Sequence, residues 1–158
     1  MPQSRWKIWL WRFAVTASLA MWWGGLTFYA AIVVPLGIEQ FGGVEQGLLT
    51  QRVTVRLNVA GTIVGICFLA DALWRQPKKC RALLASVLLG LQGWLWFLHS
   101  RLSRWMEAAS SALPSDGSFY HEHRIYLWVT SAQWLIGLAC LGNWCVRPPA
   151  IPADNPPV

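Results

Sequence analysis

The residues in this sequence that are best suited to bind a transition metal or haem are the three histidines, His99, His121 and His123. Imidazole nitrogens are common ligands of transition metals and of haem iron. His121 and His123 lie two residues apart, so in a helix their rings point about 160° apart and only one can face the same interior as His99. Two hypotheses stay open. The histidines form a metal or haem b centre for electron transfer, or they only bond to amide, Glu122 or backbone groups.

Uncharged polar side chains inside otherwise apolar stretches form a second candidate site. At about 100° per residue, Tyr126 and Gln133 share one helical face with His123. One interpretation is that such groups only fasten helices to one another. The other is that they line an outward-opening cavity that binds a ligand or passes a small solute, to which Arg56 would give a preference for anions. The candidates for this polar or ligand-binding cluster are Asn58, Gln92, His99, His123, Tyr126, Gln133 and Arg56.

Other chemistry is not indicated. The sequence has no pairing of a nucleophile with a base, no glycine-rich phosphate loop and no paired catalytic carboxylates, so we predict that the protein is not an enzyme and needs no cofactor. The cysteines lack the CxxC spacing of a thiolate metal site, and we expect them to be small core residues. They are Cys67, Cys80, Cys140 and Cys145.

The elements that must position these side chains are long apolar segments. Residues 13–38, 82–100 and 125–146 contain no charged residue, and only 13% of the chain is charged. About 20 mainly apolar residues in a helix cross the hydrocarbon core of a bilayer. We therefore predict an all-α integral membrane four-helix bundle with spans at about 13–35, 53–74, 82–100 and 125–146. These spans make residues 1–147 a single membrane domain.

Breaks between the spans follow from local signals. Val34-Pro35 predicts the end of the first helix, because proline disfavours helix in the residue before it. Leu102, Trp105 and Met106 continue a helical apolar pattern, which predicts a short amphipathic interfacial helix between spans three and four. The proline-rich residues 148–158 predict a disordered tail.

The basic residues indicate orientation. Eight of the thirteen lysines and arginines lie before the first span, between the second and third, or after the fourth. By the positive-inside rule both termini face the cytoplasm, in an inner or plasma membrane. Because the basic residues sort by membrane side, the net charge of +6 does not indicate nucleic acid.

Two short motifs resemble the transmembrane protein 205-like family of small four-helix membrane proteins. Phe28 to Pro35 is similar to the FxxxxxxP stretch of that family, and Phe119 with His123 is similar to its Phe and His before the last span. Where the family often carries Ser and Asn after this His, the chain has Tyr126 and Thr130. The resemblance implies four spans over nearly the whole chain and no particular reaction.

The sequence favours a non-enzymatic multi-pass membrane protein, either a small accessory protein or a ligand-binding protein with an outward-facing polar cluster. Its expected partners are the lipid bilayer and either a second copy of the chain or another membrane protein. The alternatives are the histidine-ligated electron-transfer protein and a small-solute carrier.

Overall fold

Helices account for nearly all of the chain that the computed structural model describes, which is residues 3–74, 79–108 and 118–145. The predicted tail at 148–158 lies outside these residues. The first helix has three parts without a break: an α-helix, a π-helical segment with wider turns, and a second α-helix. The elements are α1 (Gln3–Phe28), the π-segment (Tyr29–Val33), α2 (Val34–Phe41), α3 (Gly43–Trp74), α4 (Lys79–Ala108) and α5 (Ser118–Cys145).

Within the described part of the chain, four helical stretches are long and apolar enough to cross a membrane: Trp6–Phe41, Glu45–Trp74, Lys79–Met106 and Phe119–Gly142. Each of them contains most of one predicted span. The prediction of an all-α chain built from four such helices is confirmed.

The helices form an antiparallel bundle in which α1 and α4 each pack against both α3 and α5. Hydrogen bonds between side chains fix this arrangement. Trp11 near the beginning of the first helix bonds to Asp71 at the end of α3, whereas Tyr29, further along the first helix, bonds to Thr50 near the beginning of α3. The first helix and α3 therefore run in opposite directions. One end of the bundle carries the turn at Gly42, and we call it the Gly42 end. The other, where α3 ends and α4 begins, is the terminal end.

The apolar core lies toward the terminal end and receives side chains from all four long helices. Leu19 of α1, Phe68 of α3, Leu88 of α4 and Cys140 of α5 are almost completely buried there. Cys140 is thus a core residue, as predicted. Cys80 is exposed, so the same prediction was wrong for that cysteine.

The predicted end of the first helix at Val34-Pro35 was wrong. An interior proline removes a backbone donor, and its ring clashes with the carbonyl four residues earlier. The π-segment lies immediately before this proline, and the Val34 N–H bonds to the Tyr29 carbonyl five residues back. This wider turn lets the helix pass Pro35 and continue to Phe41. The chain reverses at Gly42, whose φ of 82° suits glycine.

A separate interfacial helix between spans three and four is not seen in the described residues. Instead, α4 continues without interruption to Ala108, and Leu102 is buried against the bundle. Periodicity alone could not distinguish a new helix from a continuation, because the sequence has no helix breaker between Ser100 and Leu102. Residues 109–117, which lie between α4 and α5, are outside the described part of the chain.

Candidate functional site

Two buried glutamines join α4 to α5 about midway along the bundle. Gln92 and Gln133 are each 2% exposed, and the Gln133 Nε2 donates a hydrogen bond of 2.6 Å to the Gln92 Oε1. Both side chains therefore face the interior of the bundle. A bond between amides in an apolar interior fixes the relative depth of the two helices, because any slip would leave both groups unpaired.

A second, longer bond crosses the bundle diagonally from α3 to α5. The Asn58 Nδ2 lies 3.4 Å from the Tyr126 Oη, and Asn58 is 4% exposed. The length makes this a weak hydrogen bond. Tyr126 and Gln133 lie two helical turns apart on the same face of α5, so Asn58 and Gln92 approach that face from two different helices.

Tryptophan side chains complete the same region. The Trp22 Nε1 donates to the Leu57 carbonyl at 3.1 Å, and the Trp96 Nε1 donates to the Thr62 Oγ1 at 3.1 Å. Sequence reasoning assigned neither tryptophan a role. The available signal was an indole in an apolar helix, which needs an acceptor when it is buried. We call the whole group the polar layer, and it consists of Trp22, Asn58, Thr62, Gln92, Trp96, Tyr126 and Gln133.

Because Gly61 has no side chain, it leaves room for the Gln92 and Trp22 side chains of the polar layer. A Cβ atom at this position would lie 2.5 Å from the Gln92 Oε1 and 2.8 Å from the Trp22 Nε1. Both distances are far below van der Waals contact, so an alanine would push two polar side chains from their places. Asn58, Gly61 and Gly65 lie on one face of α3 and are buried, and the two glycines allow close packing against α4.

All groups in the polar layer are uncharged, which limits what the layer can do. None is an activated nucleophile or a strong general base. The Gln92 Nε2 is buried and has no hydrogen-bond partner among the described residues. The arrangement is suited to fastening helices in a fixed register, with one amide donor left over.

The histidines do not join the polar layer. His99 is half-buried, with its Nε2 3.4 Å from the Ser103 Oγ on its own helix and its ring edge-on to Trp96. His123 is exposed and stacks on Phe119 one turn earlier. His121 is exposed as well. Within the described residues, no three histidine, cysteine or acidic side chains are grouped so that they could hold a metal ion.

Arg56 also lies apart from the polar layer, with an exposed side chain. The exposed Arg101 instead forms an ion pair with the mostly buried Glu122, which ties α4 to the beginning of α5. The predicted cluster is therefore split. The structure brings together Asn58, Gln92, Tyr126 and Gln133, and it places His99, His123 and Arg56 around them.

Two further polar contacts were missed or misjudged from the sequence. At the Gly42 end, the Tyr29 Oη donates to the Thr50 Oγ1 at 2.9 Å, and the buried Gln46 bonds to the same hydroxyl. At the terminal end, Asp71 is only 4% exposed although it lies near the end of α3, and it accepts a bond of 2.7 Å from the Trp11 Nε1.

Two surface cavities lie away from the polar layer. One, of about 460 Å³, separates α1 and the π-segment from α5. The other, of about 520 Å³, is lined by Phe97, Arg101, Arg104 and Trp105 of α4. Neither contains a side chain of the polar layer in its lining.

Comparison of the chain with known proteins gives no matching protein family, no similar curated protein and no similar solved structure. The resemblance to the transmembrane protein 205-like family stays a prediction.

Proposed function

We propose that this protein is a non-enzymatic, multi-pass integral membrane protein that acts as an accessory subunit, by packing one outer helix face against a helix of a partner. Its membrane is an inner or plasma membrane, with the terminal end of the bundle at the cytoplasmic side. This orientation rests on the basic residues, which are concentrated at that end.

The polar layer supports a structural role for the interior. Its side chains bond to one another or to helix backbone, and none of them lines either of the two cavities described above. A ligand or solute entering this layer would have to break the bond between Gln92 and Gln133. The interaction with a partner is therefore assigned to the outside of the bundle.

The observation that carries the proposal is a hollow on the outer face of α4. Ser86, Gly90 and Gly93 are exposed at helical spacing, and a Cβ added to either glycine would meet nothing within 4 Å. Leu83 and Phe97 stand exposed at the two ends of this stripe. Because lipid provides no hydrophobic force between helices, small residues that let backbones approach closely are enriched at helix interfaces in membranes.

Self-association and association with another protein are tested separately. Fluorescently labelled copies reconstituted into liposomes report self-association by energy transfer at low protein density. Purification from the native membrane, followed by quantitative mass spectrometry, reports a different partner. We expect Gly90→Leu and Gly93→Leu each to abolish whichever association the unmodified chain shows.

Gly25→Leu is the matched control. Gly25 is an exposed helical glycine on α1 that also has open space around it, and it lies on a different face of the bundle. The proposal fails if all three leucine variants associate like the unmodified chain, or if the unmodified chain associates with nothing in either assay.

A further inference from the structure

The cavity of about 460 Å³ is a groove that forms where the first helix leaves α5. Its walls are Leu26, Thr27, Ala30 and Ala31 on one side and Thr130, Ser131, Trp134 and Leu135 on the other. Toward the terminal end the groove is closed, because the Trp134 Nε1 bonds to the Thr27 Oγ1 at 2.8 Å and the Trp23 Nε1 bonds to the Trp134 carbonyl at 3.1 Å. Toward the Gly42 end it opens. Within the described residues, α2 packs on α3, and neither α2 nor the π-segment packs on α5.

The groove offers no polar group in need of a partner. The Thr130 Oγ1 donates to the Tyr126 carbonyl and the Ser131 Oγ donates to the Leu127 carbonyl. The Thr27 Oγ1 donates to the Trp23 carbonyl and accepts the Trp134 indole. With its hydroxyls satisfied and the rest of its lining aliphatic or aromatic, the groove suits a hydrocarbon occupant.

The open end of the groove carries the positive charge of Arg124, next to the imidazole of His123, which can donate a hydrogen bond. His123 and Arg124 precede Thr130 and Ser131 by seven residues, so they lie on the same faces of α5, about 10 Å closer to the Gly42 end. Both side chains are exposed. An arginine there can bind a phosphate through two parallel hydrogen bonds.

We propose that this groove binds one phospholipid, with an acyl chain between α1 and α5 and the headgroup phosphate on Arg124, assisted by His123. The depth agrees with a single bilayer leaflet. Leu135 lies eleven residues from Arg124, or about 16 Å along the helix, which is close to half of a hydrocarbon core of about 30 Å.

A partner helix fits this groove less well than an acyl chain. Along the first helix the lining extends only from Leu26 to Ala31, about 8 Å of helix axis, whereas a membrane helix is about 10 Å wide and crosses the whole bilayer. On the terminal-end side of the groove, the contact between Trp23 and Trp134, whose ring centroids are 4.9 Å apart, would obstruct a partner helix. A chain that enters from the open end and stops at Trp134 meets no such obstacle.

The experiment measures binding of palmitoyl-oleoyl phosphatidylglycerol to the purified full-length protein by native mass spectrometry in mild detergent. Palmitoyl-oleoyl glycerol, which has the same chains without the phosphate, is the comparison lipid. Ala31→Leu and Ser131→Leu fill the groove, and Arg124→Gln removes the charge at its open end. Ser18→Leu and Arg56→Gln are the matched controls, because each changes an exposed residue of the same type outside the groove.

We expect one phosphatidylglycerol per chain in the unmodified protein and in both controls. The filled variants should lose it, and Arg124→Gln should bind it roughly tenfold more weakly, the loss expected for a hydrogen bond to a charged group. The uncharged lipid should bind as weakly as phosphatidylglycerol binds to Arg124→Gln. Thermal unfolding of each variant verifies that it is folded.

Three results would overturn the proposal. The first is equal binding of phosphatidylglycerol by the unmodified and filled proteins. The second is equal binding of the two lipids by the unmodified protein. The third is efficient cross-linking of Ser131→Cys between two copies in a membrane, which would place a helix in the groove.

Discussion

Replacing either glutamine of the pair between α4 and α5 should destabilise the bundle, and replacing both should cost less than the sum of the two single losses. Gln133→Leu deletes the donor of a 2.6 Å bond and leaves Gln92, which is 2% exposed and already has an unpartnered Nε2, with no partner for its amide among the described residues. Leaving a buried polar group unpaired costs about 1–3 kcal/mol. Within membranes, measured interhelical hydrogen bonds average about 0.6 kcal/mol and reach about 1.7. We therefore expect a loss of about 1–2 kcal/mol for Gln133→Leu and a similar loss for Gln92→Leu.

The double variant isolates the free energy of the interaction between Gln92 and Gln133 from the other effects of each single replacement. When both amides are replaced by leucines of similar volume, no buried polar group is left unpaired, so the cost should be smaller than the sum of the single losses by about 1 kcal/mol. Reversible unfolding in mixed detergent micelles, followed by far-ultraviolet circular dichroism, gives the four free energies of the cycle.

Gln40→Leu is the control, since Gln40 is an exposed glutamine on α2 and its replacement should change stability by less than about 0.5 kcal/mol. Strict additivity of the two single changes would refute the reasoning. Single variants as stable as the unmodified chain would do the same, because the pair would then contribute nothing to the fold.

Two further predictions use the same unfolding assay with paired variants. Gly61→Ala should cost about 1–3 kcal/mol by overpacking the polar layer, whereas Gly25→Ala should be neutral or stabilising by up to about 1 kcal/mol, because the space around Gly25 is open. Trp11→Phe should cost about 1.5–3 kcal/mol by removing the donor to the buried carboxyl of Asp71, and Trp9→Phe, at an exposed indole, should cost little. Equal effects within either pair would contradict the assigned contacts.

Much of the architecture could be predicted from the sequence, because it depends on properties that add up along a segment. Four apolar stretches identify four helices, and alternating helix directions place Asn58, Gln92 and Gln133 at similar depth. Helical arithmetic also identified the face of α5 that carries Tyr126 and Gln133. These predictions needed only the rise and the rotation per residue of an α-helix.

The remaining features depend on contacts between segments, which no single segment contains. The indoles of Trp22 and Trp96 find their acceptors on α3, so their part in the polar layer depends on how α1 and α4 rotate against that helix. The burial of Asp71 likewise depends on the indole of Trp11, sixty residues away in the sequence. His123 lies on the same helical face of α5 as Tyr126 and Gln133. At its level of the bundle, however, the first helix does not pack on α5.

The groove and the continuous first helix have a common cause in the backbone around Pro35. A proline in an uninterrupted α-helix would clash with the Ala31 carbonyl, and the π-segment from Tyr29 to Val33 avoids this by widening the turn. Such insertions change the direction of a helix. From this point the helix follows α3, to which Tyr29 is bonded, and separates from α5. Ala30 and Ala31 therefore face open space because of the backbone path, and a helical wheel that assumes a regular α-helix through Pro35 cannot indicate the groove.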